Sequence, residues 1–131
     1  MNTEVPEVDR SKRCTTSGNP ETPEHREIDP VTGQQKDYII LCEEERKKGF
    51  VRPLRRSYVH IGKPPDGEKV EYPYRKIFPG GCGTRTQMGL SIAETYARDP
   101  GFYTGTFCVT CQTHLPLEEF VWDGTTEQVG S

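Results

Sequence analysis

Two cysteines separated by two residues, Cys108 and Cys111, constrain the folds open to this chain more than any other feature. The spacing turns both sulfurs toward one point, which suits a tetrahedral metal ion and also suits a redox-active dithiol. A redox pair needs a helix N-terminus to lower the pKa of one thiol. Val109 and Thr110 start helices poorly and Pro116 follows soon after, so the sequence favours a metal.

The composition indicates that the fold needs stabilisation beyond that of its own core. Only 31% of the 131 residues are hydrophobic and 28% are charged, while 13 glycines and 11 prolines indicate many turns. Because a core this small offsets conformational entropy poorly, a metal, a ligand or an oligomer interface is expected to add stability. Five cysteines, an odd number, in a chain without a secretion signal favour thiols and metal over a disulfide framework.

Charge and hydropathy limit the partners. The net charge of -3 supplies no overall basic field to hold a nucleic-acid duplex. No apolar stretch approaches the roughly 20 residues of a membrane span, and no signal region opens the chain. We therefore expect a cytoplasmic protein without a membrane partner, for which a homo-oligomer is one possible state.

The chain divides near residue 36. Residues 1–35 carry four prolines and almost no large apolar side chain, which predicts an extended or disordered arm. The alternative is an arm that orders by adding a strand to a partner or to a second copy. Residues 36–131 are predicted to form one α+β domain that is zinc-ribbon-like, with a short antiparallel sheet and two helices.

Five segments of the domain carry patterns of secondary structure. Residues 36–49 predict a helix of about three turns, because acidic and basic residues recur at four-residue spacing before a glycine cap. Alternation over 55–61 predicts a strand. An amphipathic stripe over 84–98 predicts the clearest helix, with threonines available to cap its first turn. A strand ending at Cys108 and a final strand over 120–122 complete the domain.

The candidate metal ligands are Cys14, Cys42, Cys82, Cys108, Cys111, His25, His60 and His114. A structural zinc needs two ligands besides the Cys108–Cys111 pair. Cys82 is the preferred third, because flanking glycines let its backbone approach a metal closely. For the fourth, His60 at a strand end is favoured over His114, which would have to fold back over the pair. The predicted cofactor is therefore one structural Zn²⁺, and buried apolar thiols are the alternative.

The remaining cysteines receive other roles. Cys42 follows an apolar run and is predicted to be a core thiol, whereas Cys14 is predicted to be exposed and unpaired. Neither is needed to complete the four zinc ligands.

The sequence favours a binding protein over an enzyme. It contains no Gly-x-x-x-x-Gly-Lys phosphate loop, no Gly-x-Ser-x-Gly elbow and no His-Glu-x-x-His. The deaminase pattern fails because Phe107 precedes Cys108 and Ile61 follows His60. A closed site of four protein ligands leaves no position for a reactive water.

Two patches are candidate binding surfaces. An anion site at the start of the second predicted helix would use Thr84, Arg85 and Thr86. Its alternative is simple helix capping with a solvated arginine. A basic and aromatic patch, suited to nucleic acid or an acidic protein surface, consists of Arg52, Arg55, Arg56 and Tyr58. Its alternative is a solvated edge strand.

A set of sequence runs covers about two-thirds of the chain, from near residue 38 to the end. They are GFVRP and RSYVH within 49–60, GCGT and its continuation to residue 89, IAETYARDP over 92–100, and FY, TFC, Cys111, His114, Pro116 and EFVWDG within 102–124. In these runs the chain resembles a family of small uncharacterised bacteriophage and prophage proteins with a C-terminal Cys-x-x-Cys knuckle. The resemblance implies a phage origin and is compatible with a metal at the cysteines, but it implies no activity.

These observations predict a non-enzymatic zinc-binding protein. Its partner is expected to be a host protein, such as a component of a defence system that it inhibits, or a small anionic ligand that it sequesters. The alternative is a zinc-ribbon-like module that binds nucleic acid through its arginines. A third hypothesis is an enzyme acting on nucleotides at the Thr84–Thr86 corner.

Overall fold

The computed structural model describes residues 6–18, 20, 27–35 and 37–131. In this part of the chain seven strands and two α-helices follow one another. The strands are β1 (Arg13–Thr15), β2 (Ile39–Leu41), β3 (Ser57–His60), β4 (Arg85–Gln87), β5 (Gly105–Cys108), β6 (Thr113–Pro116) and β7 (Phe120–Trp122). The helices are α1 (Glu43–Arg46) and α2 (Leu90–Arg98), and a short 3-10 helix covers Leu117–Glu119.

All strand pairs are antiparallel. β3 is the central strand of a three-stranded sheet of order β4-β3-β7, in which Tyr58 lies between Thr86 and Trp122. β1 pairs with β2, and β5 pairs with β6 as a hairpin. The prediction of an α+β fold with two helices and short antiparallel sheets is confirmed, as are the predicted strands around β3, β5 and β7.

Strands β3 and β7 of the central sheet are buried on both faces, to which their side chains point alternately. One hydrophobic cluster joins Tyr58 of β3 with Trp122 of β7, Tyr96 of α2 and Cys108 of β5. The Tyr96 and Trp122 rings meet edge to face at 5.5 Å. Residues of the opposite face form a second cluster that includes Val59 and Val121. His60 therefore points to the face on which Cys108 lies.

The prediction of a three-turn helix over 36–49 is wrong. Ile39–Leu41 forms β2, and α1 covers only Glu43–Arg46. The predicted ion pair between Glu43 and Lys47 is present at 2.7 Å. The apolar half of the segment instead forms its backbone hydrogen bonds with β1. At the centre of this pair the partner residue lies 26 positions earlier in the sequence, so local spacing does not reveal it.

The second helix starts six residues later than predicted. Arg85–Gln87 is strand β4, and α2 begins at Leu90 with Gly89 as its N-cap residue. The threonines at 84 and 86 therefore do not cap the helix. Thr86 instead lies opposite Tyr58 in the sheet, where its β-branched side chain packs well.

The described residues of the N-terminal region lie against the domain. β1 pairs with β2 of the same chain, and Arg10 forms two hydrogen bonds with the Asp99 carboxylate at 2.6 and 3.0 Å. Cys14 and Cys42 form a disulfide with a Cα–Cα distance of 5.0 Å. The predictions of a free Cys14 and of a core thiol at Cys42 are therefore wrong. The expectation that the odd number of cysteines indicates thiols and no disulfide is wrong for the same reason. His25 lies outside the described residues.

No helix within the described ranges is long and apolar enough to cross a membrane.

Candidate metal centre

His60 occupies the last position of β3 and is fully buried as a side chain. Its ring stacks on Phe120 with centroids 4.7 Å apart. Nε2 lies 2.9 Å from Oε1 of Glu119, and the backbone N–H of Cys82 donates to Nδ1 at 3.3 Å. Nδ1 is thus the acceptor and Nε2 carries the proton; Nδ1 lies 3.3 Å from Cys82 Sγ and 3.6 Å from Cys111 Sγ, where a metal ion would replace the Cys82 N–H on its lone pair.

Cys82 reaches His60 because the loop that follows β3 closes on itself. Phe78 donates its backbone N–H to the Ile61 carbonyl at 2.7 Å, and Gly83 donates to the His60 carbonyl at the same distance. A Cβ on Gly81 would lie 2.4 Å from the Ile61 carbonyl carbon. Only glycine permits this approach, so the sequence prediction that flexible glycines bring Cys82 to the site has a steric basis.

Cys108 and Cys111 lie in the tight turn between β5 and β6. The backbone N–H of Gln112 donates to the Cys108 carbonyl at 2.8 Å, and Gln112 adopts a left-handed φ of 54°. Thr86 of β4 accepts the N–H of Val109 at 3.1 Å, which fixes the turn against the central sheet. The turn directs both thiols toward His60 and Cys82.

The four donor atoms all lie within 4.8 Å of one another. The Cys82 and Cys108 sulfurs are 3.4 Å apart, and His60 Nδ1 is 3.3 Å from Cys82 Sγ and 3.6 Å from Cys111 Sγ. A tetrahedral zinc with ordinary bond lengths separates two sulfurs by about 3.8 Å and a sulfur from a nitrogen by about 3.6 Å. These three separations differ from those of a tetrahedral zinc site by a few tenths of an ångström, and the other donor pairs lie within 4.8 Å.

Glu119 gives the site an outer partner that the sequence did not reveal. Its carboxylate accepts the Nε2 proton of His60 and is itself mostly buried. Carboxylates in this position orient metal-binding histidines and increase their basicity. Because Glu119 lies 59 residues from His60, only the pairing of β3 with β7 brings the two together.

The thiols resist simultaneous ionisation without a cation. Burial disfavours the Cys82 thiolate, but hydrogen bonds from Thr84, His60 and Cys108 outweigh it and lower the Cys82 pKa to about 6. Burial and the neighbouring thiols Cys108 and Cys82 raise the Cys111 pKa to about 12. A bound divalent cation would remove this repulsion by neutralising the thiolates together.

The arrangement can hold a metal ion but offers it no reactive position. Four protein donors complete a tetrahedral shell, and such closed sites stabilise folds. The redox alternative lacks its structural requirement, because Cys108 and Cys111 lie in a hairpin turn and not at a helix N-terminus.

The alternative ligand His114 lies elsewhere. Its Nε2 is 2.9 Å from the hydroxyl of Tyr38, and its ring is 5.4 Å from Phe107 between centroids. His114 follows the turn on β6, opposite Phe107, so its side chain lies on the hairpin face away from the sulfurs. The structure brings together His60, Cys82, Cys108 and Cys111, and not His114.

The proposed anion corner loses its structural basis. Thr84, Arg85 and Thr86 precede and form β4, so no helix dipole acts on them. Arg85 forms an ion pair with Asp123 at 2.9 Å, and the Thr86 hydroxyl accepts the Val109 N–H.

The basic and aromatic patch is largely used internally. Tyr58 is 2% exposed and donates its hydroxyl to the Phe107 carbonyl, so it is not available to a partner. Arg55 lies over the Trp122 ring at 4.7 Å and pairs with Glu127. Arg56 donates to the Met88 carbonyl, and Arg52 donates to its neighbour Val51. The patch does not form one open basic surface.

Comparisons of the chain with protein-family models, with curated proteins and with solved structures found no match of any of the three kinds.

Proposed function

We propose that this chain is a zinc-binding protein in which one Zn²⁺ stabilises the fold and which acts as a non-enzymatic binder. One observation carries the metal half of this proposal. Three segments distant in sequence direct the donors of His60, Cys82, Cys108 and Cys111 to within 4.8 Å of one another.

The donor chemistry selects zinc among the common metals. Three thiolates and one imidazole in tetrahedral arrangement are typical of structural zinc sites. Calcium and magnesium prefer oxygen ligands, and no carboxylate belongs to this donor set. The metal would join β3, the loop before β4 and the β5–β6 turn, and so add to the hydrogen bonds that already connect them in a chain with so small a core.

Metal analysis tests the site. Protein purified without chelator is expected to contain about one zinc per chain, and Co²⁺ substitution should give the charge-transfer absorption of a thiolate-rich tetrahedral site. His60→Gln and Cys111→Ser should lose the metal. The matched control is His114→Gln, which should retain it.

Three outcomes would contradict the proposal. The first is a wild-type protein that contains no metal and gains no stability when zinc is added. The second is a His60→Gln variant that keeps its full metal content. The third is a loss of metal from the His114→Gln variant alone. The last two would move the fourth ligand to the alternative histidine.

The binding half of the proposal is supported by the closed donor set and by the missing catalytic motifs. The resemblance to phage proteins adds the expectation that the partner is a host component. A pull-down from host lysate with the zinc-loaded protein, followed by mass spectrometry, tests this. Cys111→Ser serves as the unfolded control, and recovery of the same proteins with both would remove the host-partner expectation.

A further inference from the structure

We propose that Cys82 is an oxidation-sensitive ligand of the metal centre, which hydrogen peroxide converts into a disulfide with Cys108 so that the zinc is released. The inference rests on the proposed zinc site and concerns the regulation of that same site. It adds a chemical reaction to a metal that otherwise only stabilises the fold, because the presence of zinc then depends on the oxidants around the protein.

The four donor residues differ in their access to solvent. The His60 side chain is fully buried and Cys108 is 0% exposed, whereas Cys82 and Cys111 are exposed residues. The closed donor shell keeps water from the metal, but it leaves a small oxidant free to approach from the side of Cys82 and Cys111. Zinc-bound cysteines are thiolates, and the thiolate is the form of cysteine that reacts with peroxide. The ligand sulfurs, and not the metal, are therefore the reactive atoms of this centre.

Cys108 lies in position to form the disulfide with Cys82. The two sulfurs are 3.4 Å apart, so they need to approach by about 1.4 Å to form an S–S bond. Cys108 belongs to strand β5 while Cys82 lies in the loop before β4, so the loop can supply most of this movement. The reactive pair thus joins two separate segments and differs from the Cys-x-x-Cys pair of the β5–β6 turn.

The reaction balances with hydrogen peroxide as the two-electron oxidant. The Cys82 thiolate attacks one peroxide oxygen, the O–O bond breaks, and a sulfenic acid and a hydroxide ion are formed. The Cys108 thiolate then attacks the sulfenic sulfur, which forms the S–S bond and releases a second hydroxide ion. The two sulfurs are oxidised, one peroxide is reduced, and the hydroxide ions take protons from solvent to become water.

The reaction removes two of the four zinc ligands at once. His60 and Cys111 alone do not form the four-donor shell that a structural zinc needs, so the ion is released. The bond between Cys14 and Cys42 is already a disulfide and takes no part. Oxidation therefore changes the metal centre and leaves the covalent attachment of the N-terminal segment intact.

Peroxide titration of the zinc-loaded wild-type protein tests the proposal. A chromophoric indicator should report the release of zinc, and two of the three free thiols should disappear. Mass spectrometry of peptides prepared without reductant should find Cys82 joined to Cys108. Retention of the zinc, or a disulfide between Cys108 and Cys111 instead, would overturn the proposal.

Two histidine variants separate the exposed ligands. Cys82→His and Cys111→His each keep four possible zinc donors but lose one oxidisable sulfur. Zinc release by peroxide should be slowed about tenfold or more in Cys82→His, because the sulfur that reacts with peroxide is missing. Cys111→His is the matched control and should release zinc at the wild-type rate. Equal rates for the two variants would contradict the assignment of Cys82, and the wild-type disulfide decides it if either variant fails to bind zinc.

The zinc content of the untreated protein separates this proposal from that of the metal site. A zinc-loaded protein that keeps its zinc in peroxide contradicts the redox role of Cys82 alone. A wild-type protein without zinc contradicts the metal site. Peroxide treatment of that metal-free protein then tests the sulfur pair by itself, and absence of the Cys82–Cys108 disulfide would contradict the pair as well.

Discussion

The Glu119 carboxylate accepts a hydrogen bond from Nε2 of His60, with Nε2 and Oε1 2.9 Å apart, while Nδ1 of the same ring faces two cysteine sulfurs. The carboxylate fixes both the orientation and the tautomer of the ring. The contact is made inside the fold, since the His60 side chain is fully buried and that of Glu119 is 18% exposed. It thereby connects the candidate metal centre to the strand pair β3–β7.

Replacing Glu119 should therefore weaken metal binding more than it weakens the fold. Glu119→Gln retains an acceptor but removes the charge, and we expect the zinc affinity to fall by about 10- to 100-fold. Competition with a chromophoric chelator measures this. Glu118→Gln is the control, because the Glu118 side chain faces solvent, with its Oε1 atom 3.6 Å from Nζ of Lys63. Equal affinities for both variants would contradict a positioning role for Glu119.

The disulfide should contribute stability independently of the metal. Cys14 and Cys42 are separated by 28 residues. A disulfide that closes a loop of this length lowers the entropy of the unfolded chain and thereby raises the free energy of unfolding by about 3 kcal/mol. The double variant Cys14→Ser/Cys42→Ser should lower the free energy of unfolding by that amount in urea. Its zinc content should be unchanged, whereas reduced zinc content would show that these cysteines also support the metal site.

The four candidate ligands could be predicted from sequence because each carried a local signal. The spacing of Cys108 and Cys111, the glycines around Cys82 and the strand alternation at His60 are all visible within a few residues. What remained hidden was the partner Glu119. Its role depends on the register of β7 against β3, which no short-range pattern encodes.

The errors in the predicted secondary structure and cysteine pairing have the same physical origin. Ile39–Leu41 is an apolar run whose period fits a strand or a helix, and only β1 decides between them. Arg85–Gln87 directly precedes the amphipathic stripe of α2 in sequence and was included in the predicted helix, yet it pairs with β3. The Cys14–Cys42 disulfide joins an arm with almost no large apolar side chain to the domain, so composition alone predicted a free thiol.

A buried ion pair holds α1 against α2. Arg98 Nη2 lies 3.0 Å from Glu45 Oε2, and the two side chains are 1% and 0% exposed. Glu45→Ala would leave the guanidinium buried without its charge partner, so we expect a loss of about 3–5 kcal/mol in the free energy of unfolding. Chemical denaturation measures it.

The exposed pair of the same helix provides the comparison. The side chains of Glu43 and Lys47 are 68% and 72% exposed, so Glu43→Ala should leave the free energy of unfolding almost unchanged. Similar losses for Glu43→Ala and Glu45→Ala would mean that burial of the Glu45–Arg98 pair does not determine its contribution.

Alkaline pH should unfold the protein through its buried tyrosines. Burial raises the pKa of Tyr58 to about 12, and it also raises the pKa of Tyr96 and Tyr103. An unfolded tyrosine has a pKa of about 10. Because the folded pKa is the higher one, the uncharged ring is favoured by the fold. The contribution of each such tyrosine to the free energy of unfolding is thus fully present below pH 10. It declines by about 1.4 kcal/mol per pH unit as the pH rises toward 12.

Two variants separate this effect from general alkaline damage. Tyr58→Phe removes one buried ionisation, and its stability should therefore fall less steeply between pH 10 and 12, although it starts lower because the hydrogen bond to the Phe107 carbonyl is lost. Tyr72→Phe removes a tyrosine that is 60% exposed and should leave the slope unchanged. Urea denaturation at several pH values gives the slopes. Ionisation of Tyr58, measured as the difference in tyrosinate absorbance between wild type and Tyr58→Phe, should coincide with the loss of near-UV circular dichroism, and an ionisation that precedes unfolding would contradict the coupling.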